Sequence, residues 1–326
     1  MREKKFRVVV IGAGTRANLV IYPSLADLED VEITAICDID EKRLNETADR
    51  YHVEKRYGSS VLDYQRMIED VKPDAVFAIG QPHIFYDIWT WCLEHGCDLY
   101  IEKPMGLNLH EARALEYLAR TNGRVTQVSF QRRSTPVVEK LREKCLEKGP
   151  ITYAMCKFYK CEISPFLGAR DHMYDDCVHS IDTLRWLCGG EIVSIESSLG
   201  RIGVPDVNFI TAQLKFDNGA SGYLVNNWSS GKRIFSVEMH APGVYAEVEH
   251  ETGGRLYADG DLKGVEYSAE KEAGSSAFHV YTGVEKLVRN FVDCCRSGER
   301  PLSDFSSALK TMEAAEKILA QGLLSE

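Results

Sequence analysis

The feature that most constrains the fold of this chain is the alternation of short apolar runs with amphipathic stretches over roughly its first 130 residues. The runs Val8–Ile11 and Ala75–Ile79 are apolar at every position, as expected of strands that helices cover on both faces. Helical patterns follow them at Ala17–Leu28 and Ile84–Glu94. Because strands that alternate with helices form βαβ units, the sequence predicts a doubly wound parallel α/β sheet.

The second half of the chain has a different pattern. Consecutive strand-like segments run from Ile192 to Tyr257, separated by turn sequences such as Asp217-Asn218-Gly219. Two helical patterns, Val284–Arg296 and Ser306–Leu324, follow them. This order predicts an α+β domain with an open, mostly antiparallel sheet.

Two domains suit a chain of 326 residues, because a single hydrophobic core rarely grows beyond about 250–300 residues. We place the first domain at residues 1–124 and the second at residues 125–326. The C-terminal helix is expected to pack back toward the first domain.

Composition argues against several classes of protein. A formal net charge of −10 offers no cationic surface for nucleic acid. No apolar stretch reaches the ~18 residues that span a membrane, and the apolar run that Arg7 interrupts is too short for a signal sequence. The ten cysteines fit no zinc-ligand spacing. We therefore expect a soluble, cytoplasmic protein with reduced thiols and no metal site.

A glycine-rich loop follows the first strand. Its sequence, Gly12-Ala13-Gly14-Thr15-Arg16-Ala17, is a G-x-G-x-x-A pattern in the strand–turn–helix context of dinucleotide-binding loops. The first glycine permits the tight turn, the second lets the backbone approach a pyrophosphate, and the small Ala17 allows close packing of the helix. The phosphates would bind at the helix N-terminus, with Thr15 and Arg16 as further contacts.

An acidic residue ends the second strand. Asp38 lies 24 residues after Gly14, close to the spacing of about 20 at which an acid accepts hydrogen bonds from the adenosine ribose. Because a carboxylate repels the 2′-phosphate of NADP, the sequence favours NAD over NADP. The alternative is that Asp38 caps the next helix, and Asp40 is a candidate for either role.

A third pattern is the stretch from Asp175 to Asp182. Asp175, His179 and Asp182 share one face of a predicted helix, and the remaining positions are mostly apolar. A helix that is apolar around most of its circumference is usually buried. Buried polar groups are hydrogen-bonded or functional, so these three residues are candidates for a site.

Together these features resemble the Gfo/Idh/MocA oxidoreductase family over nearly the whole chain. The resemblance rests on the glycine loop, on Glu102-Lys103-Pro104 at the end of a later strand, and on Asp175-x-x-x-His179-x-x-Asp182. The segment Gln127–Arg133 (QVSFQRR) is similar to the family's entry into its second domain, and Phe291–Ala308 to its closing helix signature.

The resemblance implies a Rossmann domain and roles for particular residues. It implies that Lys103 hydrogen-bonds the reacting hydroxyl and the nicotinamide ribose, that Asp175 helps to hold the substrate, and that His179 is the general base. Oxidation of a secondary alcohol by NAD needs such a proton acceptor. The family's lysine–proline bond is often cis, which we expect here between Lys103 and Pro104. Further expected cofactor contacts are Gln81, Pro82 and Glu102.

The chain departs from the family's pattern around the substrate. Arg170–Tyr174 stands where the family commonly has a glycine-rich segment, and Cys177 replaces a common glycine. Tyr86 stands where a histidine is common, so either His83 compensates or it is only a loop residue. The predicted substrate contacts are His83, Arg132, His172, Tyr174 and Asp182.

The predicted function is NAD-dependent oxidation of a secondary hydroxyl of a sugar, sugar derivative or inositol. One alternative is NAD-assisted glycoside cleavage, in which transient oxidation at C3 acidifies the C2 proton, the aglycone is eliminated and the hydride returns. That chemistry needs a further acid or base, for which Asp171–Tyr174 is the candidate segment. A third hypothesis is a non-catalytic regulator that senses the cofactor, although Lys103 and His179 are both retained.

The predicted partners are small. We expect a carbohydrate or polyol substrate and neither nucleic acid nor a membrane. Strands such as Ser221–Val225 carry apolar groups on one side, and an uncovered apolar face is costly. The resemblance implies a homodimer or homotetramer that forms through the sheet of the second domain.

Overall fold

The chain divides into two compact units. The structure, a computed structural model, describes residues 4–162 and 168–324. Unit 1 contains the residues up to Ser129 together with Phe278–Val280 and Val284–Leu309. Unit 2 contains Phe130–Ala277, Tyr281–Gly283 and the residues from Lys310 onward.

Unit 1 is built on a six-stranded sheet. Its strands are β1 (Phe6–Ile11), β2 (Val31–Cys37), β3 (Lys55–Tyr57), β4 (Ala75–Ala78), β5 (Leu99–Ile101) and β6 (Thr126–Val128). Their spatial order is β3-β2-β1-β4-β5-β6, and every neighbouring pair is parallel. This is the strand order of dinucleotide-binding Rossmann folds. The predicted doubly wound α/β sheet is therefore confirmed.

Helices connect these strands. A π-helical segment, Ala17–Ile21, leads into α1 (Tyr22–Ala26), and α2 (Glu41–Arg50), α3 (Asp63–Val71), α4 (Pro82–Glu94) and α5 (Leu109–Thr121) follow. The central strands are buried, since Val8, Val76 and Tyr100 have no exposed surface. The rigid sheet thereby fixes the loops at its carboxyl edge, where ligands bind in such folds.

Unit 2 is built on an eight-stranded sheet of order β14-β13-β12-β11-β7-β10-β9-β8. Its strands are β7 (Tyr153–Cys161), β8 (Ile192–Gly200), β9 (Phe209–Phe216), β10 (Ser221–Asn227), β11 (Ser229–Ala241), β12 (Val244–Glu249), β13 (Gly253–Ala258) and β14 (Val265–Ser268). Only β7 and β10 pair in parallel among these strands. The prediction of an open, mostly antiparallel sheet is confirmed.

One face of this sheet is covered by helices. A 3₁₀ turn, Gln131–Ser134, precedes α6 (Pro136–Leu146); α7 (Ala169–His172) and a π-helical segment, Met173–Cys177, lead into α8 (Val178–Cys188), and α9 (Ala269–Ala273) comes after the sheet. Helix α8 packs on β7 and β10, and α6 packs on β11, β12 and β13. Residues of β7 alternate accordingly, with Ala154, Cys156 and Phe158 buried.

The last helices are divided between the two units. They are α10 (Phe278–Tyr281), α11 (Val284–Ser297) and α12 (Phe305–Leu324). Helix α11 belongs to unit 1, whereas α12 belongs to unit 2 from Lys310 onward. Phe291 of α11 lies edge-on to Phe77, with ring centroids 5.4 Å apart, and contacts Tyr100 at 5.6 Å. Because α11 belongs to the core of unit 1 and β6 pairs with β5, unit 1 is not limited to the segment 1–124.

Two elements of unit 1, β3 and α3, lie outside the predicted alternation. Strand β3 reads Lys55-Arg56-Tyr57 and lies at the edge of the sheet, so no apolar run marks it. Helix α3 follows after residues 58–62 and buries Tyr64, Met67, Ile68 and Val71, which recur at helical spacing. Among the described residues, none of the helices combines the length and apolar character needed to cross a membrane.

Candidate active site

The glycine loop of unit 1 has a backbone that only glycine accommodates at its first position. Gly12 has φ +105°, and a Cβ atom there would lie 2.2 Å from the carbonyl oxygen of Ile79. Apart from Gly14 itself and its two chain neighbours, no atom of the described residues lies within 4 Å of the Cβ position at Gly14. The buried hydroxyl of Tyr22 donates to the carbonyl of Gly12 at 3.1 Å. The loop is tightly held at Gly12 and open at Gly14, as a pyrophosphate cradle requires.

Asp38 fastens this loop to the end of β2. Its Oδ2 accepts the backbone N–H of Ala13 at 2.6 Å, and its Oδ1 accepts the N–H of Asp40 at 2.8 Å. Asp40 takes the capping role, since its side chain accepts the N–H of Arg43 at the start of α2. The Asp38 carboxylate is half-buried and keeps acceptor sites for a ribose. Of the two roles left open by the sequence, helix capping belongs to Asp40.

Glu102 connects the end of β5 to the glycine loop. Its carboxylate is buried and accepts Nε–H of Arg16 at 3.1 Å. Burial opposes the charge of Arg16, but the Glu102 carboxylate outweighs this and raises the pKa of Arg16. The next residue, Lys103, is half-buried, and the Lys103–Pro104 bond is cis, as expected. Lys103 therefore lies at the carboxyl edge of the sheet, beside the glycine loop.

The end of β4 supplies the start of α4. Gln81 is the exposed N-cap residue and Pro82 occupies the first helical position, where a missing N–H is harmless. His83 is exposed in the first turn. Tyr86 is half-buried, and burial raises its pKa. These residues lie at the same carboxyl edge of the parallel sheet as Asp38 and Lys103.

In unit 2 the predicted helical face begins inside the π-helical segment. Asp175 is exposed, whereas the adjacent Asp176 is only 4% exposed. A π turn contains more residues than an α turn, and such turns are frequent at functional sites. The buried acid of this segment is therefore Asp176, which the helical pattern did not single out. The doublet Asp175-Asp176 is the only sequence signal for it.

His179 and Asp182 lie farther along, in the buried part of α8. The His179 ring is 6% exposed and meets the ring of Phe130 edge-on at 6.0 Å. Asp182, 1% exposed, binds Arg133 through two hydrogen bonds, of which Nε–Oδ2 measures 2.8 Å. The pair joins the start of unit 2 to α8. Since its carboxylate is occupied by Arg133, this arrangement favours a positioning role for Asp182 over substrate contact.

Asp176 is the centre of a polar cluster. Its Oδ2 accepts Nε1–H of Trp228 at 2.7 Å and pairs with Nζ of Lys160 at 2.8 Å. Lys160 also pairs with Glu162 at 3.1 Å. A ring nitrogen of His172 and oxygens of Glu162 and Asp176 lie within 4.8 Å of one another. The Lys160 ammonium is the cation of this cluster.

His172 and Tyr174, two of the predicted substrate contacts, have different surroundings. The His172 ring stacks on Trp228 at 4.0 Å, and burial lowers its pKa. Its Nδ1 is buried and has no hydrogen-bond partner among the described residues. The hydroxyl of Tyr174 donates to Glu316, which also pairs with Arg170 at 2.9 Å. His172 is therefore a neutral imidazole near pH 7, and Tyr174 is held by a carboxylate.

Arg132 is a buried cation. Its side chain is 8% exposed and its guanidinium carbon lies 3.6 Å from the ring centroid of Phe235 and 5.0 Å from that of Phe158. Burial lowers its pKa to about 10, so it remains charged at neutral pH. Stacking of a desolvated cation on a ring contributes about 2 kcal/mol, which offsets only part of the cost of removing an ion from water.

Two family models match this chain, one in its first part and one in its second. Residues 6–130 match the oxidoreductase family with an NAD-binding Rossmann fold, and residues 167–242 match the GFO/IDH/MocA C-terminal domain.

Two curated relatives and one solved structure illustrate the similarity over almost the whole chain. A D-glucoside 3-dehydrogenase of Escherichia coli is 31% identical over 96% of this chain and 88% of its own length. A myo-inositol 2-dehydrogenase of Thermotoga maritima is 23% identical over 97% of this chain and 96% of its own length. The fold is similar to that of a dehydrogenase from Chromobacterium violaceum, with a TM-score of 0.86, 21% identity and coverage of 99% and 98%.

Proposed function

Because the chain belongs to the GFO/IDH/MocA oxidoreductase family, we propose that it oxidises a secondary hydroxyl of a sugar, sugar derivative or inositol by hydride transfer to NAD. Membership makes it a nicotinamide-dependent dehydrogenase acting on CH–OH groups. The substrate class is supported by relatives named as dehydrogenases of inositol and of D-glucosides.

The observation that carries the proposal is the arrangement at one edge of the sheet in unit 1. The glycine loop, Asp38, Gln81 and Lys103 follow β1, β2, β4 and β5, and these strands are parallel. The carboxyl ends of parallel strands meet at the same edge. An amine is therefore held beside a nucleotide cradle, where a reacting hydroxyl needs a hydrogen-bond partner.

The residues present fit a dinucleotide. The open surface at Gly14 admits a pyrophosphate, and the free acceptor sites of Asp38 suit the adenosine ribose. The same carboxylate opposes the 2′-phosphate of NADP, so NAD is the proposed cofactor. Bound NAD would supply the hydride acceptor.

The chain's own residues move the proton and hold the substrate. Lys103 would donate a hydrogen bond to the hydroxyl oxygen and favour its deprotonation, and His179 would accept the proton. Asp175, exposed within the π-helical segment Met173–Cys177, would accept hydrogen bonds from neighbouring hydroxyls of the substrate. Asp182 orients α8 through Arg133 and so positions His179.

A substrate screen tests the proposal. NAD and a panel of hexoses, sugar acids and inositols are incubated with the enzyme, and NADH is followed at 340 nm. We expect net NADH with at least one member, and loss of that activity in His179→Asn. If the protein binds NADH but produces no NADH from NAD with any member of the panel, the result counts against the proposal.

Glycoside cleavage without net redox is the second candidate function. It is supported by the similarity to a D-glucoside 3-dehydrogenase and by the buried, neutral His172 beside Asp176, which is a candidate for the extra base. Release of nitrophenol from a nitrophenyl glucoside without accumulation of NADH would favour it. Retained, stoichiometric NAD in the purified protein would agree, because a hydride that returns needs no cofactor release. A regulator is disfavoured, since Lys103 and His179 are both present.

We also propose a homodimer or homotetramer located in the cytoplasm. The sheet face of unit 2 opposite the helices carries a row of half-exposed rings, in which Tyr153 contacts Tyr223 at 5.2 Å and His240 at 4.8 Å, and Tyr245 contacts Tyr257 at 5.6 Å. Such a row suits a protein interface. All ten cysteines are free, which suits a reducing compartment. Sedimentation velocity would detect the oligomer.

A further inference from the structure

Arg132 is a buried cation without a carboxylate partner. Within the described part of the chain it forms no ion pair, and its Nε is enclosed without a hydrogen-bond acceptor. Only 8% of the residue is exposed. Buried charges in proteins are normally paired, so an arginine in this position calls for an anion.

The acids around Arg132 are already engaged. Asp176 and Glu251 are the carboxylates whose charges favour the protonated form of Arg132. Asp176 pairs with Lys160 at 2.8 Å, and Glu251 pairs with Arg233 at 2.9 Å. Arg233 in turn repels Arg132. Neither acid is free to turn toward Arg132 without abandoning another cation.

The aromatic rings fix the guanidinium rather than neutralise it. Phe235 and Phe158 stack against it, and Phe158 also lies 5.4 Å from Nζ of Lys160. Two cations therefore share one ring. Of the three guanidinium nitrogens, only Nε is fully enclosed without a partner. A planar fork held by rings presents its remaining donors in a fixed direction, which suits two parallel hydrogen bonds to a carboxylate.

We propose that Arg132 binds a carboxylate of the substrate, so that the preferred substrates are sugar acids rather than neutral sugars or inositols. The inference rests on the proposed dehydrogenase function and narrows its substrate class. Arg132 shares the Phe158 ring with Lys160, and Lys160 pairs with Asp176, whose carboxylate lies within 4.8 Å of a ring nitrogen of His172. A carboxylate bound here would lie within the same part of unit 2 as the residues that handle the sugar.

Binding is tested first, without reference to catalysis. Thermal unfolding of the NADH-bound enzyme is measured with D-glucuronate, D-galacturonate or D-gluconate, each against its neutral counterpart D-glucose, D-galactose or D-glucitol. We expect at least one acid to raise the melting temperature of the wild type more than its neutral partner does. In Arg132→Met that difference should vanish. Arg233→Met, which removes the neighbouring arginine that already has a partner, should keep it.

Kinetics then link binding to turnover. For the acid that binds, Arg132→Met should raise KM at least 10-fold with a much smaller change in kcat, and Arg132→Lys should recover only part of the loss. Inorganic phosphate and acetate serve as probes for a free anion. If they stabilise the wild type through Arg132 and no sugar acid does, the site binds a free anion and the proposal is wrong.

The other outcomes are equally decisive. Equal stabilisation by acids and neutral sugars, or an unchanged preference in Arg132→Met, overturns the proposal. Circular dichroism and NADH binding check that Arg132→Met is folded, and Arg132→Lys gives a second test if it is not. Sugar acids that bind through Arg132 but yield no NADH would contradict the dehydrogenase assignment and leave the carboxylate site in place.

Discussion

Asp38 and Asp40 have different roles, although the sequence alone left ribose binding and helix capping open for both. Asp38 accepts the N–H of Ala13 and is the proposed partner of the adenosine ribose, while Asp40 caps α2. The spacing from Gly14 predicted the ribose contact of Asp38. Which of the two acids takes which role depends on which carboxylate faces the glycine loop. Both residues are aspartates, so the sequence alone does not decide this.

Asp38→Asn tests this assignment. The amide keeps the shape of the side chain but loses a charged acceptor, whose hydrogen bonds contribute about 1.5–3 kcal/mol. We expect NAD affinity to fall roughly 10- to 100-fold and the preference over NADP to shrink, as measured by fluorescence titration with the reduced cofactors. Asp40→Asn, which preserves a good N-cap, should change neither value. Equal effects in both variants would contradict the account.

The Arg133–Asp182 pair predicts a large effect on stability. Removing one partner of a buried pair leaves the other charge unpaired and typically costs about 3–5 kcal/mol. Asp182→Ala should therefore lower the urea midpoint strongly, and the double variant Asp182→Leu/Arg133→Met should recover part of the loss. The half-exposed pair of Lys310 and Glu191 is the control, because Glu191→Ala should cost about 1 kcal/mol or less.

At the scale of elements, the two glycines of the glycine loop are needed for different reasons, Gly12 for the fold of the loop and Gly14 for cofactor binding. A methyl at Gly12 would meet the Ile79 carbonyl in a strained backbone, whereas a methyl at Gly14 meets only open space. We expect Gly12→Ala and Gly14→Ala both to weaken NADH binding, the first by distorting the loop and the second by blocking the pyrophosphate. Only Gly12→Ala should also lower the melting temperature, since such backbone strain costs about 1–3 kcal/mol. A stability loss in Gly14→Ala would show that the open space is needed for folding.

Elements were predictable where apolar pattern and burial coincide. Strands β1 and β4 and helix α8 are buried on nearly every side, so their largely apolar sequences predict them. Strand β3 has no such pattern because it is a polar edge strand. The π-helical segment Met173–Cys177 was not predicted either. A 3.6-residue period places residues on the faces of an α-helix, and a π-helix, which has more residues per turn, places them differently. Asp176 was missed for that reason.

At the scale of the whole molecule, the limits of unit 1 depend on long-range packing. The sequence marks a change of pattern near residue 124, but the contacts of Phe291 with Phe77 and Tyr100 tie α11 to the Rossmann sheet. The apolar face of α11 predicts that the helix is buried, but it does not predict which hydrophobic core the helix packs against. The family signature near Phe291 indicated an ordered helix without showing which core it completes.

Buried histidines predict how stability depends on pH. Burial lowers the pKa of His172 and lowers that of His250 well below its usual 6.5. Below pH 6.5 the unfolded chain therefore binds protons that the folded chain does not, and stability falls as pH decreases. Each histidine contributes at most about 1.4 kcal/mol per pH unit. The urea midpoint should drop from pH 7 to pH 5, and His250→Phe should flatten this slope. A midpoint independent of pH would contradict the account.

The most direct test of the dehydrogenase assignment is Lys103→Met. Turnover of the best substrate from the screen and NADH binding are measured on the same preparation. We expect turnover to fall at least 1,000-fold, a loss of about 4 kcal/mol of transition-state stabilisation, while the affinity for NADH stays within a few fold of the wild-type value. A variant that binds NADH and still oxidises the substrate at a comparable rate would contradict the assignment.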